Sequence, residues 1–520
     1  MFPATKPLPE ELIQHITTYF EVGLHHQALD LLHSLLAASV GSRIPVDIPP
    51  PFHLSFILTL SLHTRFSIHA STGEKLRVSS LATTYLSSLL SITGPISAGF
   101  AQAYVFNNHT YMRGGRRRAA QQASESPDNL GVVEPLDSDL AQAQGLFKRA
   151  DDFWAALGWA FTCSVLHPAR WETWSIWCAH MIDLLETDWK VRETQNKAQD
   201  EDWYKKTMLV QYINATSSTQ IKRIVRAIFA EGAGYEFSEI WKDETQRKRK
   251  KEIGFAPKRS KLDIDAGQLG DYGDLSSDEE NVSVNDDNDD EPKKTTQDIS
   301  PLGGPEALRF RMRMLALLSS LSLIDPDTLI PLETLYTAYL SHLRPLPLET
   351  IHKLLTPQNL SFFGTEAASG LIQYLARSFL ESAAPACSLD DLDWDIIARC
   401  YAPWASSGST VGDNGKIGIC VEALVGLARR KLGFSPLQGV SLAAAATSAA
   451  TSAAANVNEL WIAVDKGCQR RQERAGGNAK RAKKGEAGAE FDFERARDFE
   501  VAFLQGARMR LALLLGMKIR

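Results

Sequence analysis

The residues that could perform catalysis or bind a metal ion are scattered along the chain. Ten of the twelve histidines precede position 181, among them His25, His33 and His63, and imidazoles at helical spacing can ligate a metal ion. The six cysteines, however, contain no Cys-x-x-Cys pair or comparable ligand spacing. The motifs of zinc proteases, serine hydrolases and phosphate-binding loops are also missing from the sequence. We therefore expect no catalytic residue, no cofactor and no metal site.

Arg65 and His69 are the residues on which a hydrolase interpretation depends. We expect them one turn apart on a helix. They are similar to the Arg and His pair of helical ribonucleases, but the spacing between them is one residue shorter than in that motif. A helical hydrolase is therefore a minor alternative, which requires a convergent polar pocket around these side chains.

Two basic clusters lie close together between residues 242 and 261. They are separated by a short proline-containing spacer and consist of Lys248, Arg249, Lys250 and Lys251, then Lys258, Arg259 and Lys261. This arrangement resembles a bipartite nuclear localisation signal, because an extended segment can place two clusters in two acidic grooves of an import adaptor. The sequence predicts that adaptor as a partner and the nucleus, or more narrowly the nucleolus, as the location. A solvated charge run or a nucleic-acid-binding arm is the alternative.

An acidic run follows the basic clusters. Residues 263–291 contain twelve Asp or Glu and no Lys or Arg. Ser276 and Ser277 precede Asp278, Glu279 and Glu280, a pattern similar to acidophilic casein-kinase sites, so both are phosphorylation candidates. The acidic run predicts either a contact with a basic partner or only a contribution to solubility.

Residues 151–203 form a dense aromatic block with seven tryptophans and two phenylalanines. The spacing of Trp171, Trp174 and Trp177 places these three side chains near one helix face. They can line a partner-binding groove or a base-stacking platform, or they can form the core of a helix pair. The sequence favours the core, and no Lys or Arg stands between Trp171 and Trp177 to support a single-stranded nucleic acid.

Two fragments resemble the tetratricopeptide repeat family. Trp154, Leu157, Gly158 and Phe161 match the spacing of its first helix, and Tyr19, Gly23, Ala28 and Leu32 match positions where its two helices meet. The two fragments cover less than a fifth of the chain, and no 34-residue period continues through the rest. The resemblance implies stacked helical hairpins that present a protein-binding surface without chemistry of their own.

Composition is that of a globular protein rather than a fibrous or fully disordered one. The chain has 520 residues, 44% apolar and 23% charged, with a net charge of −6. Its longest apolar stretch, residues 52–62, is interrupted by polar side chains and is shorter than the ~20 residues of a membrane span. The start of the sequence shows no secretory signal pattern. We expect no membrane contact and a reducing compartment.

Apolar residues recur at three- and four-residue spacings along most of the chain, which predicts an all-α fold. The fold class is an irregular, solenoid-like array of helical hairpins in two halves, separated by a long, disordered, charged linker. The predicted divisions are N-terminal hairpins at 1–112, a flexible Arg-containing loop at 113–140, a Trp-rich helical region at 141–241, the linker at 242–304, a C-terminal helical region at 305–438, Ala-rich and basic loops at 439–490, and a C-terminal helix at 491–520. The Ala tract can alternatively extend a helix.

These features predict a non-enzymatic scaffold or adaptor subunit of a nuclear complex. Its partners are other protein subunits, and ribosome biogenesis and chromosome maintenance are the two processes that fit the charge pattern. The main alternative is direct nucleic-acid binding through the basic loops at 113–118, 248–261 and 470–484.

Overall fold

The computed structural model describes residues 2–106, 136–196, 200–215, 221–232, 237–242, 244–245, 300–387, 392–431, 448–479 and 490–517. Within these residues the fold is all-α, as the periodicity predicts. The described residues contain one sheet, which has two parallel strands, β1 (Thr5–Pro7) and β2 (Val46–Ile48). Three residues are too few to produce an alternating pattern, so the sequence did not indicate these strands.

The N-terminal region contains ten α-helices in the described residues. They are α1 (Glu10–Val22), α2 (His25–Ser42), α3 (Pro51–Leu62), α4 (Gly73–Thr93), α5 (Phe100–Ala103), α6 (Leu146–Arg149), α7 (Phe153–Leu166), α8 (Pro168–Asn196), α9 (Met208–Asn214) and α10 (Ile221–Ile228).

The C-terminal region contains nine α-helices in the described residues. They are α11 (Pro305–Ile324), α12 (Leu332–Leu343), α13 (Leu348–Leu354), α14 (Pro357–Leu360), α15 (Thr365–Phe379), α16 (Trp394–Ile396), α17 (Val411–Lys431), α18 (Ser448–Ala479) and α19 (Glu490–Leu515). A π-helical turn, Ile397–Tyr401, continues α16.

Local signals set several of these helix ends. Pro51 and Pro305 stand in the first turn of α3 and α11, where the missing amide proton costs no hydrogen bond. The carboxylate of Asp152 accepts the amide proton of Ala155 and begins α7. The predicted Trp-rich helical region at 141–241 therefore begins with two separate helices, α6 and α7.

Neighbouring helices pack in pairs, as expected for helical hairpins. The pairs α3–α4 and α7–α8 dominate the N-terminal region, and α17 packs against both α15 and α19 in the C-terminal region. The buried apolar side chains of the two regions form one continuous core. Helices α8 and α10 contact α11, so the two regions pack directly against each other.

The predicted linker at 242–304 begins and ends within the folded part of the chain. Glu244 is completely buried near its start, and Leu302 is completely buried near its end. Gly303 has a φ of +83°, and a Cβ built there would lie 2.6 Å from the hydroxyl oxygen of Ser164. The linker boundaries are therefore too wide. Residues 246–299, which hold most of the charged run, lie outside the described residues.

The Ala-rich and basic loops predicted at 439–490 are corrected in part. Residues Ser448–Ala479 form the 32-residue helix α18. Alanine has the highest helix propensity, and the part of the Ala-rich tract from residue 448 onwards extends this helix, which is the alternative to a solvent loop. The rest of the basic stretch, residues 480–484, lies outside the described residues.

Candidate functional site: a cationic apolar groove

The aromatic block forms part of the core. Trp174 and Trp177 are 0% and 1% exposed, and their rings meet edge to face at 5.3 Å. Trp171 is half-buried and its ring lies 6.3 Å from that of Phe310 on α11. Trp174 and Trp177 therefore stabilise the fold and leave no exposed face for a partner or a base.

A buried ion pair stands beside these tryptophans. The Arg170 Nε atom lies 2.5 Å from Glu244 Oε1, and both side chains are at most 1% exposed. Arg170 also donates to the Leu62 carbonyl oxygen, while Glu244 accepts the indole proton of Trp174 at 2.7 Å and the amide protons of residues 240 and 241. Every charged group here has several partners, which is what a buried ion pair needs to be stable.

Two arginines on α11 join the N-terminal and C-terminal regions. Arg311 is fully buried and donates to the carbonyl oxygens of Ile228 and Ala230. Burial lowers its pKa to about 9. Arg313 pairs with Glu186 at 2.7 Å and with Asp183 at 2.5 Å, both on α8. The contact between the regions is therefore both apolar and ionic.

A surface groove of about 780 Å³ lies between helices of the C-terminal region. Helices α13 and α14 with their connection, α17 and α19 form its walls. Its apolar lining residues include Leu355, Leu360, Ile419, Ala423, Leu513 and Leu514. Leu513 is 68% exposed and contributes an apolar side chain to this lining.

Arginines line the edge of this groove. Arg429, Arg430 and Arg510 face it together with one acid, Glu422, so its lining carries a formal charge of +2. Arg510 forms a two-pronged ion pair with Glu422, with Nε–Oε2 and Nη2–Oε1 distances of 3.0 and 2.8 Å. Burial raises the pKa of Glu422, and this ion pair opposes the rise.

The other two arginines leave positive charge available to a ligand. Arg429 donates to the Leu514 carbonyl oxygen at 2.6 Å, a neutral acceptor, and Arg430 is exposed. Burial and then the charge of Arg510 lower the pKa of His352, which favours the neutral imidazole. The groove therefore combines an apolar floor with arginines whose charge Glu422 does not cancel.

A cavity with several polar side chains lies elsewhere, beside α12 and α15. It has a volume of about 840 Å³ and its lining includes Ser341, Ser378, Ser406, Ser407 and Asp413. Each of these four serine hydroxyls donates to a backbone carbonyl oxygen. The hydroxyl protons are used by the local backbone, rather than held by a neighbouring base as a nucleophilic serine requires.

The Arg65 and His69 pair does not lie on an α-helix as expected. Helix α3 ends at Leu62, and a 3₁₀ turn, Thr64–Phe66, follows it. The side chain of His63 accepts the amide proton of Arg65 at 3.1 Å and caps this turn. Arg65 and His69 therefore do not lie one turn apart on a continuous α-helix, which is the arrangement on which the ribonuclease resemblance depended.

The nuclear import residues and the phosphorylation candidates lie outside the described residues. These are Lys248, Arg249, Lys250, Lys251, Lys258, Arg259, Lys261, Ser276 and Ser277. The Arg-containing loop at 113–118 also lies outside them.

The described part of the third basic stretch is engaged in the fold. Arg470 and Arg474 both pair with Glu381, at 2.9 and 2.6 Å. Arg471 is fully buried and donates to the Ala402 and Trp404 carbonyl oxygens at 3.0 Å. These three arginines therefore stabilise helix α18 against its neighbours instead of forming a basic arm.

Within the described ranges, no group of three or more His, Cys, Asp or Glu side chains is placed to hold a metal ion. The same ranges contain no helix that is both long and apolar enough to cross a bilayer.

The sequence alone does not predict the groove, because its walls come from three distant segments, near residues 352–360, 419–430 and 510–514.

Comparison with protein-family models and with the curated proteins finds no match to this chain.

Proposed function

We propose that this protein is a non-enzymatic scaffold or adaptor subunit of a nuclear multiprotein complex, and that it binds a partner subunit in the groove between α13–α14, α17 and α19. The observation that carries the proposal is the open apolar groove with a positively charged lining. An exposed apolar surface framed by polar side chains is typical of a protein-binding site.

The occupant that fits this groove is an amphipathic helical segment of the partner, with acidic side chains beside its apolar face. Its apolar side chains would pack on Leu355, Ile419 and Leu513. Its carboxylates would pair with Arg429 and Arg430, whose contacts within the fold include no carboxylate in the described structure. Apolar contacts provide affinity in such helix-in-groove complexes, and complementary charge selects the partner.

The proposals of nuclear import and of regulation by phosphorylation at Ser276 and Ser277 depend on the sequence alone. The two basic clusters at 248–251 and 258–261 support recognition by an import adaptor, and Ser276 and Ser277 support phosphorylation next to the acidic run. The same charge pattern supports a role in ribosome biogenesis or chromosome maintenance, with nucleolar location as the narrower form of the proposal.

The test is affinity purification of the tagged full-length protein from nuclear extract, with and without nuclease, followed by quantitative mass spectrometry. Leu513→Glu and Arg430→Glu place negative charge in the groove. Ile462→Glu is the matched control for Leu513, because Ile462 is 67% exposed on helix α18 and lies outside the groove lining. Lys431→Glu is the control for Arg430, since Lys431 is also exposed and also lies outside that lining.

We expect stoichiometric partners whose binding persists after nuclease treatment. These partners should bind the two control variants normally, and the amount recovered with either groove variant should fall at least tenfold. Partners that resist nuclease but bind all four variants equally would show that the groove is not the docking surface. A partner list lost on nuclease treatment would favour direct nucleic-acid binding. No nuclear partner at all would contradict the scaffold function.

A further inference from the structure

A Thr-Pro pair lies in the wall of the groove. Thr356 and Pro357 stand where α13 connects to α14, and both line the groove. The chain contains four Ser-Pro or Thr-Pro pairs, which begin at Ser126, Ser300, Thr356 and Ser435. The structure describes the second and third of these pairs, and of these two only the third lines the groove.

The local structure of Thr356 suits a protein kinase substrate. Its φ and ψ angles are −64° and 150°, in the extended region that proline imposes on the residue before it. Kinases that require proline after the target hydroxyl bind their substrate in this extended form. Thr356 is half-buried, and Pro357 and Gln358 after it are exposed. The Thr356 hydroxyl oxygen accepts the amide proton of Asn359 at 3.3 Å, which is its one hydrogen bond among the described residues.

A phosphate on Thr356 would face a lining of opposite charge. Arg429, Arg430 and Arg510 with Glu422 give this lining a formal charge of +2. Arg429 donates to a neutral carbonyl oxygen and Arg430 is exposed, so in the described structure neither has to leave a carboxylate to pair with a phosphate. A phosphothreonine carries about −1.5 to −2 at neutral pH. Phosphorylation would therefore bring the charge of the lining close to zero.

We propose that Thr356 is a phosphorylation site for a proline-directed protein kinase, and that its phosphorylation prevents the acidic partner from docking in the groove. The kinase transfers the γ-phosphoryl group of ATP. A bond forms between that phosphorus and the Thr356 hydroxyl oxygen, and the bond from the same phosphorus to the oxygen of the β-phosphate breaks. ADP leaves, and the hydroxyl proton passes to the catalytic aspartate of the kinase. This inference rests on the proposed docking function of the groove.

The phosphate would act on docking through charge and through hydration. It would pair with the arginines that are proposed to bind the carboxylates of the partner, and it would repel those carboxylates. It would also place a strongly hydrated group next to Leu355, an apolar lining residue on which the partner is proposed to pack. Covering such a group with an apolar helix face removes its water, which is costly.

The first experiment tests the modification and needs no partner. Purified full-length protein is incubated with ATP and a proline-directed protein kinase, and a second sample is isolated from nuclear extract in the presence of phosphatase inhibitors. Both samples are digested and phosphopeptides are mapped by mass spectrometry. We expect phosphate on Thr356 in both samples. A Thr356 peptide that is unmodified in both would overturn the assignment.

Phosphorus NMR tests whether the phosphate faces the arginines, again without a partner. The other three serines that precede proline are replaced by alanine, so that Thr356 carries the one proline-directed phosphate. The second pKa of this phosphate should lie below its ordinary value of about 6, because nearby cations stabilise the dianion. Arg429→Gln or Arg430→Gln should return it towards that value. A pKa that neither substitution changes would place the phosphate away from the arginines and overturn the mechanism.

Binding of the purified, nuclease-resistant partner gives the functional measurement. Asn and Asp cap helices about equally well, so Thr356→Asn and Thr356→Asp differ mainly by one negative charge. We expect the Asp variant to bind about threefold or more weakly than the Asn variant, and phosphorylation of the wild-type protein to weaken binding at least tenfold. Ser361→Asp is the control and should bind normally, because Ser361 is exposed just after α14 and lies outside the groove lining. Circular dichroism establishes that each variant is folded.

The outcomes separate this inference from the proposed function. If the partner binds the phosphorylated and unphosphorylated proteins equally, and also binds the Asp and Asn variants equally, the inference is overturned while the docking function stands. A wild-type protein without any partner would contradict the docking function and, with it, the regulation of docking. Phosphopeptide mapping and phosphorus NMR would in that case still decide whether Thr356 is a phosphorylation site that faces the arginines.

Discussion

Four buried histidines should make the N-terminal region sensitive to mild acid. Burial lowers the pKa of His25, His63 and His180 from 6.5 to about 4, and that of His53 to about 3. Each of these rings also has one nitrogen without a hydrogen-bond partner in the described structure. Protonation would therefore place a charge and an unsatisfied N–H group in the core.

The direction and the magnitude of this loss of stability follow from the linkage between protonation and unfolding. Because the folded pKa values lie below the unfolded value of 6.5, the unfolded chain gains protons first as the pH falls, and stability is lost from pH 6.5 downwards until the folded pKa values are reached. From pH 7.5 to pH 5 each histidine should lower the free energy of unfolding by about 2 kcal/mol. Four such groups give roughly 8 kcal/mol if they act independently, which is comparable to the whole stability of many domains.

The assay is urea unfolding of the full chain at pH 7.5 and pH 5, followed by tryptophan fluorescence. Seven of the eleven tryptophans lie between residues 151 and 203, so this signal reports mainly the region that holds the four histidines. His25→Leu should reduce the pH-dependent loss by about 2 kcal/mol, because one titrating group has been removed. His15→Leu is the control, since His15 is exposed, and should leave the loss unchanged.

Equal unfolding free energies at the two pH values would refute this reasoning, because they would require the buried imidazoles to take up protons as easily as the unfolded chain does. A His25→Leu variant with the full wild-type loss would show that His25 is not one of the responsible groups.

Two further substitutions test the packing of the N-terminal region. Glu244→Ala should destabilise it by roughly 3–5 kcal/mol in urea unfolding, because it leaves the buried Arg170 cation without its partner, and a loss below about 1 kcal/mol would contradict the burial of this pair. Gly158→Ala should cost roughly 1–3 kcal/mol in the same assay, because its Cβ would lie 2.6 Å from the Phe237 ring. Gly41→Ala, with no atom within 4 Å of its Cβ, should have no cost, so equal losses in the two glycine variants would contradict that close contact.

The sequence predicted the helices well where an apolar stripe repeats. The C-terminal helical region was predicted to begin at residue 305, and α11 begins at Pro305. Gly23, at a position where the two helices of the first hairpin were expected to meet, directly follows α1. These elements follow from local periodicity and helix breakers, which are properties of neighbouring residues.

Features that depend on tertiary contacts could not be predicted from the sequence. Glu244 lies in a charged run that resembles a disordered segment, and only its distance from Arg170 reveals that it belongs to the core. Arg471 lies in a basic stretch that resembles a solvent loop, yet buried carbonyl oxygens accept its protons. Charge density along the sequence does not distinguish a solvated side chain from one that is paired across the fold.

The groove could not be predicted from the sequence for a similar reason. Leu355, Ile419 and Leu513 are far apart in the sequence and become one surface only when α17 packs between its neighbours.

Docking of an acidic amphipathic segment in the groove is the central claim. It is tested most directly by hydrogen–deuterium exchange of the full-length protein, free and bound to its purified nuclease-resistant partner. We predict slower exchange upon binding in residues 352–360, 419–430 and 507–515, and normal exchange when Leu513→Glu abolishes binding. Protection confined to other helices, with these three segments unchanged, would contradict the account.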